Sequence, residues 1–152
     1  MTEIYALCGI PGSGKSTLAR QLAEQHNARL HCFDSLPDAH HPKLAKAVHE
    51  QMWAAIAEDL WNGFDVVVDD LHAKKQWRLD LLSALAGAEC RKILVVMDTP
   101  LDVCLHRNRN RAARLPDFVV CDLHSKYESP SLSEGWNEIR EVKPYESNFT
   151  GD

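Results

Sequence analysis

Nine consecutive residues near the amino terminus are of types and at spacings suited to binding phosphate. They are Gly9, Ile10, Pro11, Gly12, Ser13, Gly14, Lys15, Ser16 and Thr17. Gly9, Gly14, Lys15 and Ser16 fill every fixed position of the pattern G-x-x-x-x-G-K-[ST], in which glycines let backbone N–H groups approach phosphate oxygens. Lys15 adds positive charge for the β- and γ-phosphates, and the Ser16 hydroxyl is placed to ligate Mg²⁺. The stretch is therefore predicted to bind ATP with Mg²⁺, although GTP is not excluded by the pattern.

Three aspartates stand where predicted strands end, a position that suits catalytic acids. Asp34 follows the second predicted strand, and Asp69 and Asp70 follow the β-branched run at 66–68. Ligands of open parallel sheets bind beyond the carboxyl ends of the strands, so Asp34 is expected to accept or position the proton of a substrate hydroxyl. A strand-end aspartate would join Ser16 in holding Mg²⁺. Of Asp69 and Asp70, one is expected to be functional and the other a capping acid. The alternatives are a helix-cap or turn role for Asp34, and a pair of strand-end acids at 69 and 70 with no functional role.

Positive charge is concentrated near residue 110. Arg107, Arg109, Arg111 and Arg114 fall within eight residues that contain no acid, although the net charge of the whole chain is −5. Arg107 and Arg111 are one helical turn apart, so they are expected to face the same phosphates. Mobile cations of this kind neutralise a phosphoryl group during transfer. The alternative is a solvated helix end whose arginines interact with the helix dipole.

The elements that would position these residues alternate between strand and helix. The apolar pattern predicts strands at 4–8, 28–33, 65–70, 92–98 and 138–142, and helices at 15–27, 42–63, 74–86, from Pro100 into the arginine cluster, and 117–127. This order predicts a three-layer α/β/α fold with a mostly parallel sheet, a phosphate-binding loop (P-loop) after the first strand and a helical arginine lid. The 152 residues are expected to form one domain, with the lid at about 105–116.

Composition limits where such a protein would work. No apolar run approaches the length of a membrane span, and the amino terminus lacks a basic segment followed by an apolar one. We therefore expect a cytoplasmic protein with no membrane partner. The five cysteines are scattered and never spaced as C-x-x-C, which argues against disulfides and against zinc. The acidic net charge does not favour a surface that coats nucleic acid.

These motifs resemble those of the P-loop kinase group that includes phage-type polynucleotide 5′-kinases and the kinase of seryl-tRNA. The matching pieces are Gly9 to Thr17, Asp34, Val67-Val68-Asp69-Asp70, Arg107-Asn108-Arg109-Asn110-Arg111, Leu115-Pro116, Tyr127-Glu128-Ser129-Pro130 and Glu134-Gly135-Trp136. The resemblance spans almost the whole chain. It implies Lys15 and Ser16 on phosphate and metal, Asp34 as catalytic base, Asp70 near the acceptor hydroxyl, and Arg107 and Arg111 as lid arginines on ATP phosphates.

The acceptor is left open at this point. Polynucleotide kinases follow their base with an arginine that grips the acceptor's phosphate, whereas Asp34 is followed by Ser35-Leu36-Pro37-Asp38. A polynucleotide 5′-hydroxyl and a small metabolite or nucleoside both remain as acceptors. A third interpretation is an ATP-binding regulatory module, or slow ATPase, with no dedicated acceptor; Asp34 would then be dispensable.

Overall fold

The structure, a computed structural model, describes residues 1–143. Five strands form one sheet in which every pairing is parallel: β1 (Thr2–Cys8), β2 (Arg29–Cys32), β3 (Val66–Asp69), β4 (Cys90–Met97) and β5 (Glu138–Val142). Their spatial order is β2-β3-β1-β4-β5, so β1 occupies the centre. The five helices are α1 (Lys15–His26), α2 (Ala45–Trp61), α3 (Lys75–Ala84), α4 (Leu101–Arg109) and α5 (Asp117–Ser125).

The two faces of the sheet are covered by different helices. Alternate residues of β1 point to opposite faces: Ile4 and Ala6 join the cluster that contains α2 and α3 residues, whereas Tyr5 and Leu7 pack with α1. A third, smaller apolar cluster connects Ile10 of the phosphate-binding loop to α4 and α5. The predicted three-layer α/β/α fold with a parallel sheet is therefore confirmed.

Boundaries of several elements differ from the sequence prediction. The second helix was expected from residue 42 but begins at Ala45, because the backbone N–H groups of Leu44 and Ala45 both donate to the carbonyl of His41 in a turn that precedes α2. The fourth helix ends at Arg109, before the last two arginines of the cluster. None of the helices in residues 1–143 combines the length and apolar character that a bilayer-spanning segment needs.

The parallel register brings the candidate site residues to one edge of the sheet. Ala6 of β1 is level with Val68 of β3, and Cys32 of β2 is level with Asp69. The three strands therefore end together, and the segments that follow them meet above the same edge. These segments contain the phosphate-binding loop, Asp34 and Asp70.

Candidate active site

The phosphate-binding loop joins β1 to α1 and includes all nine residues predicted to bind ATP. Gly12 and Gly14 have φ angles of 84° and 91°, a left-handed conformation that L side chains rarely adopt. A Cβ atom on Gly12 would also collide with the carbonyl oxygen of Cys104 in α4. Glycine is thus required at this position for both backbone conformation and close contact with the lid helix.

Lys15 and Ser16 share one carboxylate, that of Asp69. Lys15 Nζ lies 3.1 Å from Asp69 Oδ1, and Ser16 Oγ donates to Asp69 Oδ2 at 2.8 Å. The lysine and aspartate side chains are only 9% and 5% exposed. Buried charges of opposite sign stabilise one another only when their geometry is good and their remaining polar atoms are bonded. Asp69 therefore fixes both side chains at the start of α1 and provides, with Ser16, adjacent oxygen atoms.

From the sequence, Asp69 has no specific role. Which of Asp69 and Asp70 is the functional acid is also left open. The signal that separates them is the alternation of side chains along a strand, combined with the pairing of β3 beside β1. Asp69 ends β3 and meets Lys15. Asp70 is the next residue and meets a histidine of α2 instead, as described below.

The segment after Asp70 is bonded to the end of β1 at three points. Gly9 N–H donates to Leu71 C=O (3.1 Å), Cys8 Sγ donates to His72 C=O (3.2 Å), and His72 Nδ1 lies 2.7 Å from Leu7 C=O. His72 is buried, has a φ of 49°, and has a lowered pKa because burial disfavours its charged form. The neutral ring therefore donates from Nδ1. Burial also raises the pKa of Cys8 to about 12, so its thiol stays protonated.

A buried ion pair stabilises the segment that follows Asp70. Arg78 of α3 is fully buried, and its Nε and Nη2 donate to the two carboxylate oxygens of Glu134 at 2.9 Å each. Its Nη1 donates to the carbonyls of His72 and Ala73 at 3.0 and 3.1 Å. Trp136 Nε1 donates to the same Glu134 carboxylate at 3.0 Å. Sequence reasoning did not identify Arg78, because a charged residue on a helix normally faces water and its partner lies 56 residues away.

A cavity of about 420 Å³ is lined by the segment after Asp70, which is bonded to the end of β1, and contains both acids assigned to the acceptor. Its lining residues are Phe33, Asp34, His40, Lys46, His49, Trp53, Asp70, Leu71, His72, Trp77 and Asp80. Asp34 is in a short 3-10 helix, Phe33–Ser35, where its carboxylate is 63% exposed and lies 3.4 Å from His40 Nε2. The two acids predicted to meet the acceptor are therefore brought to one cavity.

Asp70 is held in this cavity by His49. His49 Nε2 lies 2.7 Å from Asp70 Oδ2, and the imidazole stacks on Phe33 with ring centroids 3.7 Å apart. Burial by itself would raise the pKa of Asp70. The hydrogen bonds from His49 and from the N–H of Leu71 outweigh burial and lower this pKa, so Asp70 is ionised. His49, Trp53 and Trp77 were not predicted as site residues, because helical periodicity alone does not show which part of a helix borders a cavity.

The arginine lid divides into paired and unpaired side chains. Arg109 Nη2 donates to Asp117 Oδ2 at 2.6 Å, and this hydrogen bond lowers the Asp117 pKa. Arg107, by contrast, has a buried Nη1 without a hydrogen-bond partner; within residues 1–143 the only other such side-chain atom is Ser13 Oγ in the phosphate-binding loop. Arg111 lies beyond the end of α4, so the helical spacing expected between Arg107 and Arg111 is wrong. Both arginines nevertheless line one open recess of about 660 Å³.

Two sets of contacts fix the base and the tip of the lid. At the base, Thr99 Oγ1 donates to Ser13 C=O at 2.9 Å, beside the contact between Gly12 and Cys104. At the tip, the buried side chain of Asn108 donates to Leu115 C=O at 2.7 Å and accepts from Leu115 N–H at 3.2 Å. The loop after α4 is therefore folded back onto the helix.

The expectation of no zinc stays a prediction. In residues 1–143, one group of possible ligands, Glu3, His26 and Asp65, brings an imidazole and two carboxylates together. It lies at the amino ends of the strands, opposite the phosphate-binding loop. Glu3 already accepts a hydrogen bond from the hydroxyl of Tyr5 at 3.0 Å, and Asp65 accepts one from the N–H of Glu3 at 2.8 Å.

Comparison with known proteins identifies the family of this chain and solved structures that share its fold. The sequence model of the AAA domain family matches residues 4–130. Among curated proteins, L-seryl-tRNA(Sec) kinase of Methanococcus maripaludis is 25% identical over 142 residues, which cover 88% of this chain and 56% of that protein. This chain spans about half the length of the curated relatives it matches.

Solved structures with the same fold include Kti12 of Chaetomium thermophilum in complex with ADP-AlF3, with a TM-score of 0.70 and 20% identity over 92% of this chain and 88% of that one. A sugar kinase from Janibacter sp. HTCC2649 has a TM-score of 0.73 and 15% identity over 93% and 86% of the two chains. At these identities the likeness concerns the fold.

Proposed function

The chain belongs to the AAA domain family of P-loop kinases, and from this premise we propose that it is an ATP- and Mg²⁺-dependent kinase, which transfers the γ-phosphate to a hydroxyl acceptor. The observation that carries the proposal is the pairing of Lys15 and Ser16 with Asp69 at a loop in which Ser13 Oγ is buried without a hydrogen-bond partner. Arg107 Nη1 of α4 is likewise buried and unpartnered. A buried donor without a partner costs free energy. Phosphate oxygens would provide the missing acceptors.

We assign Arg107 to the side of α4 that faces the phosphate-binding loop. It follows Cys104 by three residues, so the two share a helix face, and the carbonyl of Cys104 contacts Gly12. Arg109 is occupied by Asp117. Arg107 and Arg111 are therefore the lid cations that we assign to the ATP phosphates.

The side chains of Ser16 and Asp69 also fit a divalent cation. Ser16 Oγ and Asp69 Oδ2 are 2.8 Å apart, and hard oxygen ligands are those that Mg²⁺ prefers. We assign Ser16 as its protein ligand, with Asp69 acting directly or through water. When bound, Mg²⁺ would neutralise charge on the β- and γ-phosphates.

The remaining roles fall to the acids of the neighbouring cavity. We assign Asp34 as the base that accepts the proton of the acceptor hydroxyl, since its exposed carboxylate lies beyond the end of β2, next to β3 and its terminal Asp69. Asp70 positions the acceptor. Lys15 holds the γ-phosphate while the lid excludes water. The acceptor is a polynucleotide 5′-hydroxyl or a small metabolite or nucleoside.

The test is transfer of labelled γ-phosphate from ATP in the presence of Mg²⁺. One acceptor pool contains 5′-hydroxyl DNA and RNA oligonucleotides, and a second contains nucleosides, sugars and other small alcohols. Lys15→Ala is the blank, and its binding of ATP is measured in parallel. We expect label on an acceptor with wild-type protein and none with Lys15→Ala.

Two results would contradict this proposal. Failure of the wild-type protein to bind Mg²⁺-ATP would remove the nucleotide assignment. Label that reaches only free phosphate, with both acceptor pools present, would favour the regulatory module or slow ATPase instead of a kinase.

A further inference from the structure

The cavity that contains Asp34 and Asp70 has more carboxylates than lysines in its lining. The carboxylates are those of Asp34, Asp70 and Asp80, against one lysine, Lys46. Two lining histidines, His40 and His49, contact Asp34 and Asp70. His72 at its floor is neutral because burial lowers its pKa. A ligand that is neutral or positively charged would be favoured by this lining, whereas a phosphate group would meet like charge.

No arginine belongs to the lining among the described residues. Arginine is the residue that most often recognises phosphate, because its planar fork forms two parallel hydrogen bonds. Arg78 of α3, adjacent in sequence to the lining residue Trp77, uses its guanidinium on Glu134 and on the carbonyls of His72 and Ala73. The cavity therefore offers an acceptor's own phosphate no guanidinium fork, and only the single ammonium group of Lys46.

Aromatic rings form the apolar part of the cavity. Trp53 of α2 and Trp77 of α3 both line it, together with Phe33 at the end of β2. The imidazole of His49 stacks on the ring of Phe33. The ring of Trp53 is tilted relative to the same imidazole, with 5.5 Å between the ring centroids. Tryptophan faces stack on bases and on the apolar faces of sugar rings, and they hold cations as well.

The volume of the cavity favours a small acceptor. A volume of about 420 Å³ lies near the lower end of the range for small-molecule sites. This volume suits one sugar ring or one nucleoside. A nucleic-acid strand would need a longer groove with cations along it to follow the phosphates.

From these four observations we infer that the acceptor is a small ring-bearing polyol that carries no phosphate, of the sugar or nucleoside class. The inference rests on the proposed kinase function and specifies its substrate. The ring of the acceptor packs against Trp53 and Trp77. One hydroxyl donates to Asp34, and a second hydroxyl or an amine donates to Asp70.

The transfer step is then balanced with ATP as the only co-substrate. The acceptor oxygen forms a bond to the γ-phosphorus as its proton passes to the Asp34 carboxylate. The bond between the γ-phosphorus and the β–γ bridging oxygen breaks, and its electron pair leaves with ADP. The products are ADP and a phosphomonoester of the polyol.

The experiment compares matched acceptors that differ only by a phosphate. Each pair consists of a nucleoside with its 3′-monophosphate, or a sugar or amino sugar with its monophosphate; 5′-hydroxyl oligonucleotides form a further arm. We expect kcat/KM at least about tenfold higher for the unphosphorylated member of the preferred pair, equal to about 1.4 kcal/mol. The pair that reacts distinguishes sugar from nucleoside.

Variants test whether the tryptophans hold the ring. Trp53→Ala and Trp77→Ala should each raise the acceptor KM roughly tenfold while ATP affinity stays within about twofold. Trp53→Phe keeps an aromatic face and should restore most of this loss. The matched control is Trp61→Ala, because Trp61 is 88% exposed and lies outside this cavity. Its kinetics should equal those of the unmodified chain.

Equal or better use of the phosphorylated acceptors, or transfer to oligonucleotides alone, would overturn the inference and leave the kinase proposal intact. Unchanged acceptor KM in both tryptophan variants would also overturn it. A protein that does not bind Mg²⁺-ATP would instead fail the proposed function itself, so the two failures are distinguishable.

Discussion

Asp69 and Asp70 are consecutive residues whose carboxylates meet different partners on different elements. The carboxylate of Asp69 contacts Lys15 Nζ at 3.1 Å, whereas that of Asp70 contacts His49 Nε2 at 2.7 Å. One acid thus belongs to the phosphate-binding loop and the other to the neighbouring cavity. At the end of β3, adjacent side chains therefore contribute to different halves of the candidate active site.

Substitution of these two acids should have separable effects. Asp69→Asn removes the charge that holds Lys15 and Ser16, so we expect weaker Mg²⁺-ATP binding and a kcat lower by at least about 10²-fold. Asp70→Asn should leave ATP affinity within about twofold and raise the acceptor KM by roughly tenfold. Calorimetric titration of ATP and steady-state kinetics measure both. The same loss of ATP affinity in both variants would contradict the division.

The sequence locates Asp34, Asp70 and the loop at the ends of strongly patterned strands, and the structure brings Asp34 and Asp70 to one cavity; the preference for Asp70 comes from the family resemblance, and the roles of these residues stay predictions. The sequence was not sufficient for sheet order: β3 lies between β1 and β2, and only this insertion puts Asp69 against Lys15. His49, Trp53 and Trp77 lie on helices whose orientation depends on how they pack on the sheet. Whether these side chains contribute to the candidate site depends on contacts between residues distant in sequence, such as the pair of His49 with Asp70.

The catalytic assignment of Asp34 predicts a loss confined to turnover. Asp34→Asn cannot accept the hydroxyl proton, so kcat should fall by about 10²- to 10⁴-fold while ATP binding is retained. Asp38→Asn is the matched control, since Asp38 is also exposed, lies in the same loop, and has a φ of 64°, a conformation that asparagine tolerates. Phosphate transfer by Asp34→Asn at the unmodified rate would exclude Asp34 as the base.

Arg107 and Arg109 differ in partner and should differ in effect. Arg107→Ala removes a cation with an unpartnered buried nitrogen, so we expect kcat to fall by roughly 10²- to 10³-fold. Arg109→Ala removes only an exposed pair with Asp117, and transfer should change less than about threefold. Single-turnover transfer assays compare the two. A larger loss in Arg109→Ala than in Arg107→Ala would reverse our assignment of the lid cations.

The buried pair of Arg78 and Glu134 should govern stability at low pH. Hydrogen bonds from Arg78 and Trp136 outweigh burial and lower the Glu134 pKa in the folded state. The stabilisation is therefore present above the unfolded pKa of about 4.3 and declines as pH falls through the lower folded value.

Glu134→Gln should accordingly reduce the free energy of unfolding by about 3–5 kcal/mol at pH 7, because the buried guanidinium loses its counter-charge. The variant should also lose less stability than the unmodified chain between pH 5 and pH 3. Urea unfolding across this range tests both. The control is Glu138→Gln on β5, whose ion pairs with Arg91 and Arg140 are exposed and should matter much less.

The cysteines should react in the order of their exposure and pKa. Cys121 is exposed, whereas burial raises the pKa of Cys8 to about 12 and that of Cys104 to about 11, and raises the pKa of Cys90 as well. Iodoacetamide at pH 8, followed by mass spectrometry of the folded protein, should modify Cys121 first because thiolates are the reactive form. Cys121→Ser should remove the fast phase. Rapid labelling of Cys8 would show that the segment after Asp70 opens readily.

The contacts of Gly12 with Cys104 and of Thr99 with Ser13 limit how the lid can move. They join the first turn of α4 to the phosphate-binding loop, so this turn cannot rotate away without displacing the loop itself. In the kinase that we propose, the pivot for lid opening would therefore lie beyond Cys104. The last turn of α4 and the segment up to Leu115 are tied together by Asn108, and the exposed pair of Arg109 with Asp117 links them to α5. Arg107 lies close to this pivot and Arg111 lies farther from it. On closure, Arg111 would therefore travel the greater distance.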